Sequence, residues 1–442
     1  MKRIALYAAR FENDQQKLFP LGLGYLAAYL IQQGLATETT VRIVDSLQEL
    51  DAFQPDILGV SAVSQVVFEA REFAAAAKKN HNCLTVLGGY HISLAPETLP
   101  REFDFGILGE GEVTFAELLE HCSRPTDAEQ INNIDGLCFH DRTGIVLTKK
   151  RRQIQDLESL SFPLRQKRYS DESSIFTSRG CPYSCIYCAA PAFWQCKFRM
   201  RSAISVVKEI EEIIVNQQPR EIAFLDDLWI ADKQRFRMIV NLLEEKGITR
   251  QVTFRGFCRS NLVQEEDILL FKRMNYRVVR FGAETGSERL LKKIKGSSAS
   301  ITHHQRVIEL CAKHKIPCSA SFMFGLPGET LEDLQETAAF LNKNRGKLAI
   351  AGFYFFNPIP GTDLWKRLEE SGEVGSRFPL EELQLDMTKT SFDWENIHYF
   401  NEKSIPLPVF RKFVENIREE YLHKPKVHRN NSANPSQRAN AL

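Results

Sequence analysis

Three cysteines fall within eight residues of RGCPYSCIYC (179–188), at Cys181, Cys185 and Cys188. An apolar run from Ser173 to Ser178 precedes them and reads as a strand, so the thiols sit on a loop just past a strand end. There they can converge on one point. Closed zinc sites use four protein ligands, usually as paired two-ligand knuckles; this cluster is lopsided, and only Cys196 stands near enough to serve as a fourth. Disulfides fit poorly, because a chain of 442 residues with no secretion signal is expected in a reducing, cytoplasmic setting. A [4Fe–4S] cluster normally takes four thiolates. Three would leave one iron open to another ligand.

The C-x3-C-x2-C spacing, with aromatic Tyr187 before the last cysteine, resembles the signature of the radical S-adenosylmethionine (radical SAM) enzymes. The resemblance implies a [4Fe–4S] cluster on Cys181, Cys185 and Cys188, whose open iron chelates the amino and carboxylate groups of S-adenosylmethionine (SAM). An electron passed through that cluster splits the sulfonium and yields a 5′-deoxyadenosyl radical. The protein then positions the cofactor and excludes water.

Composition narrows the alternatives. A hydrophobic fraction of 43% over this length suits two or three globular domains. The net charge of +1 gives no reason to expect nucleic acid or an anionic membrane as partner. No apolar run reaches the roughly 18 residues of a membrane span.

From residue 1 to about 125, strand-like runs at 3–8, 40–45, 57–63, 83–89 and 104–110 alternate with helical patterns at 20–34, 65–80 and 113–121. Such alternation predicts a doubly wound, Rossmann-like parallel sheet, with ligands at the C-terminal strand ends. Gly22, Gly24 and Ala27 match G-x-G-x-x-A, and Asp45 lies downstream. The glycines fall inside a helical pattern rather than in the turn after the first strand, so helix packing competes with a nicotinamide or flavin site. PLGLGYLAAYL (20–30), VSAVSQ (60–65), LGGYH (87–91) and ILGEGE (107–112), in this order, resemble the cobalamin-binding domain of cobalamin-dependent radical SAM enzymes. That resemblance implies cobalamin contacts from Ser61, Ser64, Gly88, Gly89, His91, Glu110 and Gly111. It also shows a departure. The D-x-H-x-x-G loop that supplies a histidine to cobalt in cobalamin mutases is missing, since the first histidine is His81. The lower face of a bound corrinoid is therefore not expected to carry a histidine from that loop. DGLCFHDRTGIVLTKKR (135–151) reads as a hairpin, within a linker from 126 to 170.

Between 171 and 365, strands at 174–178, 221–227, 253–258, 278–284, 318–325 and 350–356 alternate with amphipathic helices. Six such units predict a partial (β/α)6 TIM-type barrel, with functional groups at the C-terminal strand ends. By resemblance, Asp226 or Asp227 bonds the SAM amino group, and either one can equally cap the next helix. Arg259, preferred over Arg255, pairs with the SAM carboxylate. Glu284 takes the ribose hydroxyls, with Ser287 and Lys295 at the family spacing. Met323 and Gly325 flank the adenine. The rest of the chain reads as helical at 366–371, 380–385 and 406–421, with aromatic FDWENIHYF (392–400) offering Trp394, His398 and Tyr399 to a substrate pocket. Residues 425–442 read as a disordered tail.

The combined resemblance implies an enzyme that methylates an unactivated carbon of a small molecule through cobalamin, with an electron donor such as flavodoxin or ferredoxin. Cyclisation, rearrangement or another group transfer from SAM without methylcobalamin is the enzymatic alternative. A metal-binding or corrinoid-carrier module is the non-enzymatic one.

Overall fold

A computed structural model describes residues 2–10, 19–122, 128–166, 172–373 and 404–422. Its first sheet has seven strands: β1 (Ile4–Ala8), β2 (Val41–Val44), β3 (Ile57–Ser61), β4 (Leu84–Gly88), β5 (Phe105–Ile107), β6 (Leu137–His140) and β7 (Ile145–Leu147). The order is β2-β1-β3-β4-β5-β6-β7. The first five run parallel, and β6 and β7 are antiparallel. The 135–151 hairpin thus extends the first sheet instead of standing alone in a linker. Alternation sends Ile4 and Leu6 into a core on one face, and Ala5 and Tyr7 into a core on the other. Both faces are covered, as a parallel sheet requires.

The second sheet is built from β8 (Glu172–Ile175) and, after the two-residue strands β9 (Ser178–Arg179) and β10 (Arg199–Met200), from β11 (Glu221–Phe224), β12 (Thr253–Cys258), β13 (Val279–Glu284), β14 (Cys318–Phe324) and β15 (Ala349–Phe355). Its order, β15-β14-β13-β12-β11-β8, is that of an open barrel with every pair parallel. Phe224, Phe254, Phe281, Phe322 and Phe353 point outward into one core shared with the surrounding helices. The helices begin where the chain provides caps. Ser202 caps Ala203–Gln217, Asp232 caps Lys233–Glu245, and Thr330 with Asp333 forms a capping box on Leu331–Lys343.

Gly22 and Gly24 lie within the helix Leu21–Gln32, not in a phosphate-binding turn. A Cβ on Gly24 would meet the Phe19 ring at 2.6 Å, so close packing accounts for that glycine. No described helix is long and apolar enough to cross a membrane. The patterns at 380–385 and 392–400 and the tail at 425–442 lie outside the described residues.

Candidate functional site

The cysteine loop follows β9, which pairs antiparallel with β10 in a two-stranded sheet of their own. Gly180 turns the chain there with φ +95°; a Cβ would meet the Lys197 carbonyl oxygen at 2.0 Å. Only glycine fits. The far side of the loop is pinned by two backbone bonds: Ile186 N–H donates to the Ile294 carbonyl at 3.0 Å, and Leu364 N–H donates to that of Ile186 at 2.8 Å. Burial and the neighbouring thiols push the Cys181 thiol up to about 11 and the Cys188 thiol up to about 12. The three thiols therefore feel one another. Yet among the described residues no three His, Cys, Asp or Glu side chains converge on a single metal ion. Cys196 is exposed.

The top of the open barrel gathers around this loop. Arg259 donates through Nη1 to the Cys185 sulfur at 3.1 Å and through Nη2 to the Lys295 carbonyl at 3.1 Å, and its guanidinium lies 3.8 Å from the Tyr183 ring centroid. Glu284 ends β13 at φ +65°, beside a register shift against β14. Left-handed backbone on a non-glycine residue costs on the order of 1–3 kcal/mol and marks functional positions. The Glu284 carboxylate accepts from the Tyr187 hydroxyl at 2.9 Å and from Lys295 Nζ at 3.0 Å. Both act on Oε1, leaving Oε2 without a partner among the described residues. Gly282 makes this fold-back possible, since a Cβ there would meet Glu284 Oε1 at 2.1 Å. Met323, like Ile186 and Tyr187, packs partly buried against the cluster of Leu290, Ile294, Leu326 and Trp365, and Gly325 (φ +78°) donates to the Glu329 carboxylate at 2.7 Å. Burial pushes the Glu329 carboxyl up to about 8.

Where the strand ends of the two sheets face each other lies a cavity of about 450 Å3, a usual size for a small-molecule site. Ser61, Gly88, Gly89, Glu110 and Gly111 line it from the first sheet; Leu225 and Asp227 line it from the second. Gly89 has φ +96°, and a Cβ there would meet the Ala62 backbone at 2.6 Å. The chain is thus kept narrow where a bulky group would approach. No histidine is among the described residues that line it. Tyr90, Phe193 and Trp194 form an aromatic wall, with the Tyr90 and Phe193 centroids 4.4 Å apart and Trp194 Nε1 donating to the Tyr90 hydroxyl at 3.2 Å.

Two family models match the chain: the radical SAM superfamily over residues 175–341 and the B12 binding domain over residues 9–119. The chain carries a radical SAM domain with a B12 binding domain in front. Relatives of this radical SAM protein include an uncharacterized methyltransferase of Pyrococcus horikoshii, 29% identical over 78% of each chain. The anaerobic magnesium-protoporphyrin IX monomethyl ester cyclase of Rubrivivax gelatinosus is 25% identical over 80% of this chain and 67% of its own. Among solved structures, the radical S-adenosylmethionine methyltransferase TsrM of Kitasatospora setae, with cobalamin and a [4Fe–4S] cluster bound, superposes with a TM-score of 0.71. It is 20% identical over 84% of this chain and 75% of that one.

Within this radical SAM fold the two candidate acids separate. Asp226 is buried and spent internally, accepting from Thr177 N–H at 3.0 Å, from the Thr177 hydroxyl at 2.8 Å and from the Ser178 hydroxyl. Asp227 faces the cavity, where it also accepts from Gly180 N–H and the Trp194 indole. Its carboxylate is reachable from the cavity although protein surrounds it, and burial together with Asp226 pushes it up to about 6. Their partners differ, which the sequence does not encode: both acids border the cavity, but Asp226 is taken up by Thr177 and Ser178. Because the native carboxyl holds its proton between its ordinary value near 4 and about 6, folding loses stability as pH rises through that window. Asp227→Asn is therefore expected to raise the thermal midpoint relative to the parent, with a gap that widens from pH 4 to 6 and stays level above. A gap independent of pH contradicts this reading.

Some predicted residues stand apart from the cavity. His91 is buried, with Nδ1 3.0 Å from the Ser64 hydroxyl and Nε2 3.1 Å from that of Thr98, and burial lowers its pKa to about 4. Neither His91 nor Ser64 lines the cavity. Ser287 is buried, caps the helix Glu288–Lys295 and donates to Asp333 at 2.6 Å. Arg255 turns to Glu221 and Glu172. The aromatic wall was not anticipated, because Tyr90–Leu94 and Ala189–Trp194 are helices of five and six residues, too short to show periodicity. Gly180 offers a direct check. Gly180→Ala is expected to lower the iron bound per chain after anaerobic reconstitution by at least about half, given the backbone overlap and the positive φ; iron equal to the parent's contradicts the tight turn.

Proposed function

We propose that this protein is a cobalamin-dependent radical SAM enzyme that methylates a carbon of a small molecule. The observation that carries the reading is the meeting of the cysteine loop, the Glu284 carboxylate and the glycine-lined cavity at facing strand ends. When bound, a [4Fe–4S] cluster, SAM and cobalamin would supply reductive C–S cleavage and methyl transfer. Cys181, Cys185 and Cys188 hold the cluster. Arg259, beside Cys185, is placed to take a carboxylate in its planar fork, and Oε2 of Glu284 to accept from ribose hydroxyls. Tyr187 and Lys295 fix the Glu284 carboxylate, Met323 and Gly325 border the base, and Asp227 accepts from the amino group. Ser61, Gly88, Gly89, Glu110 and Gly111 receive the corrinoid, and the apolar cavity walls keep water out.

The P. horikoshii methyltransferase and TsrM, the latter also solved with tryptophan as substrate, support a small-molecule substrate and methyl transfer. The R. gelatinosus cyclase favours a second reading, ring closure on the same scaffold. An electron donor such as flavodoxin or ferredoxin and a reducing, cytoplasmic setting complete the proposal; the ten cysteines of the chain are all free. The test is anaerobic incubation of reconstituted protein with reductant, cobalamin and SAM carrying a labelled methyl group. Methyl transfer yields S-adenosylhomocysteine and label on cobalamin or product. 5′-Deoxyadenosine without S-adenosylhomocysteine would favour the cyclase-like reading. Neither product would overturn both.

A further inference from the structure

The concave face of the second sheet carries charge that the cluster and SAM residues leave unused. At its lower edge three arginines meet two carboxylates. Arg255 bonds Glu221 at 2.6 Å and Glu172 at 3.1 Å, and Arg277 bonds Glu221 at 2.7 Å. Arg280 is the one left over: its only side-chain bond among the described residues is from Nε to the Ser319 hydroxyl at 3.3 Å. Burial and the nearby Arg255 and Arg277 lower its pKa, and no carboxylate offsets them. A half-buried guanidinium held without a counter-charge is costly unless something anionic comes to it.

Register shows what leads to it. Ile175, Phe224 and Gly256 form one paired row facing the outer helices. One residue further, Phe176, Leu225 and Phe257 face the opposite, concave side, and Phe257 pairs with Arg280, which pairs with Ser319. Phe176 and Leu225 line the cavity between the sheets. Phe257 is 45% exposed, and the Arg280 guanidinium lies 5.4 Å from its ring centroid. An apolar strip therefore runs from the cavity to the open guanidinium. On β15 the Tyr354 hydroxyl turns back over Gly352, where a Cβ would lie 2.5 Å away. Glu284 stands on the same face of β13, four residues and roughly 13 Å along the strand.

We propose that Arg280, with the Ser319 hydroxyl, binds an anionic group of the substrate, whose apolar body lies along Phe257 and Leu225 toward the cavity. The substrate class is then a small amphipathic anion, with a carboxylate or phosphate about one small-molecule length from the reacting carbon. This rests on the reading above that SAM and substrate meet at the top of the open barrel.

The test is equilibrium dialysis of the anaerobically reconstituted full-length protein with probe pairs differing only in charge. These are 3-phenylpropionate against 3-phenylpropanol, and phenyl phosphate against phenol. The anionic member of at least one pair is expected to bind about tenfold tighter, the scale of one charge-assisted bond, and the two pairs distinguish carboxylate from phosphate. Arg280→Gln is expected to erase the preference, and Arg280→Lys to keep part of it. Equal binding of charged and neutral members, an undiminished preference in Arg280→Gln, or no binding of any probe would overturn the proposal. If Arg280→Gln fails to fold, the parent protein's preference and Arg280→Lys still decide. 5′-Deoxyadenosine formation by the parent, measured in the same preparation, reports separately on the underlying function. Its presence with no anion preference sinks only the Arg280 site, whereas the absence of both it and S-adenosylhomocysteine sinks the function.

Discussion

Replacing Cys181, Cys185 and Cys188 together by alanine is expected to reduce bound iron to background and SAM cleavage by at least about a thousandfold, which amounts to no measurable turnover. On the proposed reading these three thiols are the cluster ligands, and Cys196 is exposed. The single variant Cys185→Ala is expected to be nearly as severe. Cys185 is the thiol against which Arg259 rests, so its removal takes a cluster ligand and loosens the carboxylate-binding arginine together. Iron content, the broad absorption of the cluster and 5′-deoxyadenosine should fall in step. Folding should survive, because these thiols sit at the rim of the barrel and not in its aromatic core.

The second large effect is expected at the seam between the sheets. Arg179, which opens the cysteine loop, donates to Glu110 at 2.6 Å and to Glu112 at 2.6 Å, and Arg199 also bonds Glu110 at 2.8 Å. All four side chains are nearly out of reach of water. Arg179→Ala leaves Glu112 buried without a partner among the described residues, a loss on the order of 3–5 kcal/mol. The first unfolding transition in urea should move to clearly lower concentration. Adding Glu112→Gln should return part of the loss, since a neutral amide is cheaper to bury than an unpaired charge. An Arg179→Ala protein as stable as the parent would mean that the seam is solvated. The pair also links function to fold, because the same arginine that docks on the B12 binding domain sets the entry of the chain into the cluster loop.

Most of the fold was legible in the residues. The strands of both sheets were placed within a few residues, because parallel strands buried on a helix-covered face read as short apolar runs between polar helices. The cysteine loop follows a strand and Glu284 ends one, as their sequence context reads. What escaped depends on side-chain direction and partners, which spacing does not encode. Asp226 and Asp227 are adjacent in sequence and both border the cavity, but only Asp226 is taken up by Thr177 and Ser178. His91 and Ser287 have the right chemistry for ligand contact, yet each is satisfied by neighbours brought in from elsewhere: Thr98 and Ser64 for one, Asp333 for the other. The 135–151 hairpin carried no mark of the edge it pairs with. The Arg179–Glu112 pair joins residues far apart in the chain, a contact that only the docked sheets create.

The most direct measurement is electron paramagnetic resonance of the anaerobically reconstituted, reduced protein with and without SAM. Roughly four irons per chain should give a reduced-cluster signal whose shape changes when SAM is added, because the ligand docks on the iron that the three cysteines leave open. A cluster signal indifferent to SAM, or zinc in place of iron, would contradict that open corner and with it the function built upon it.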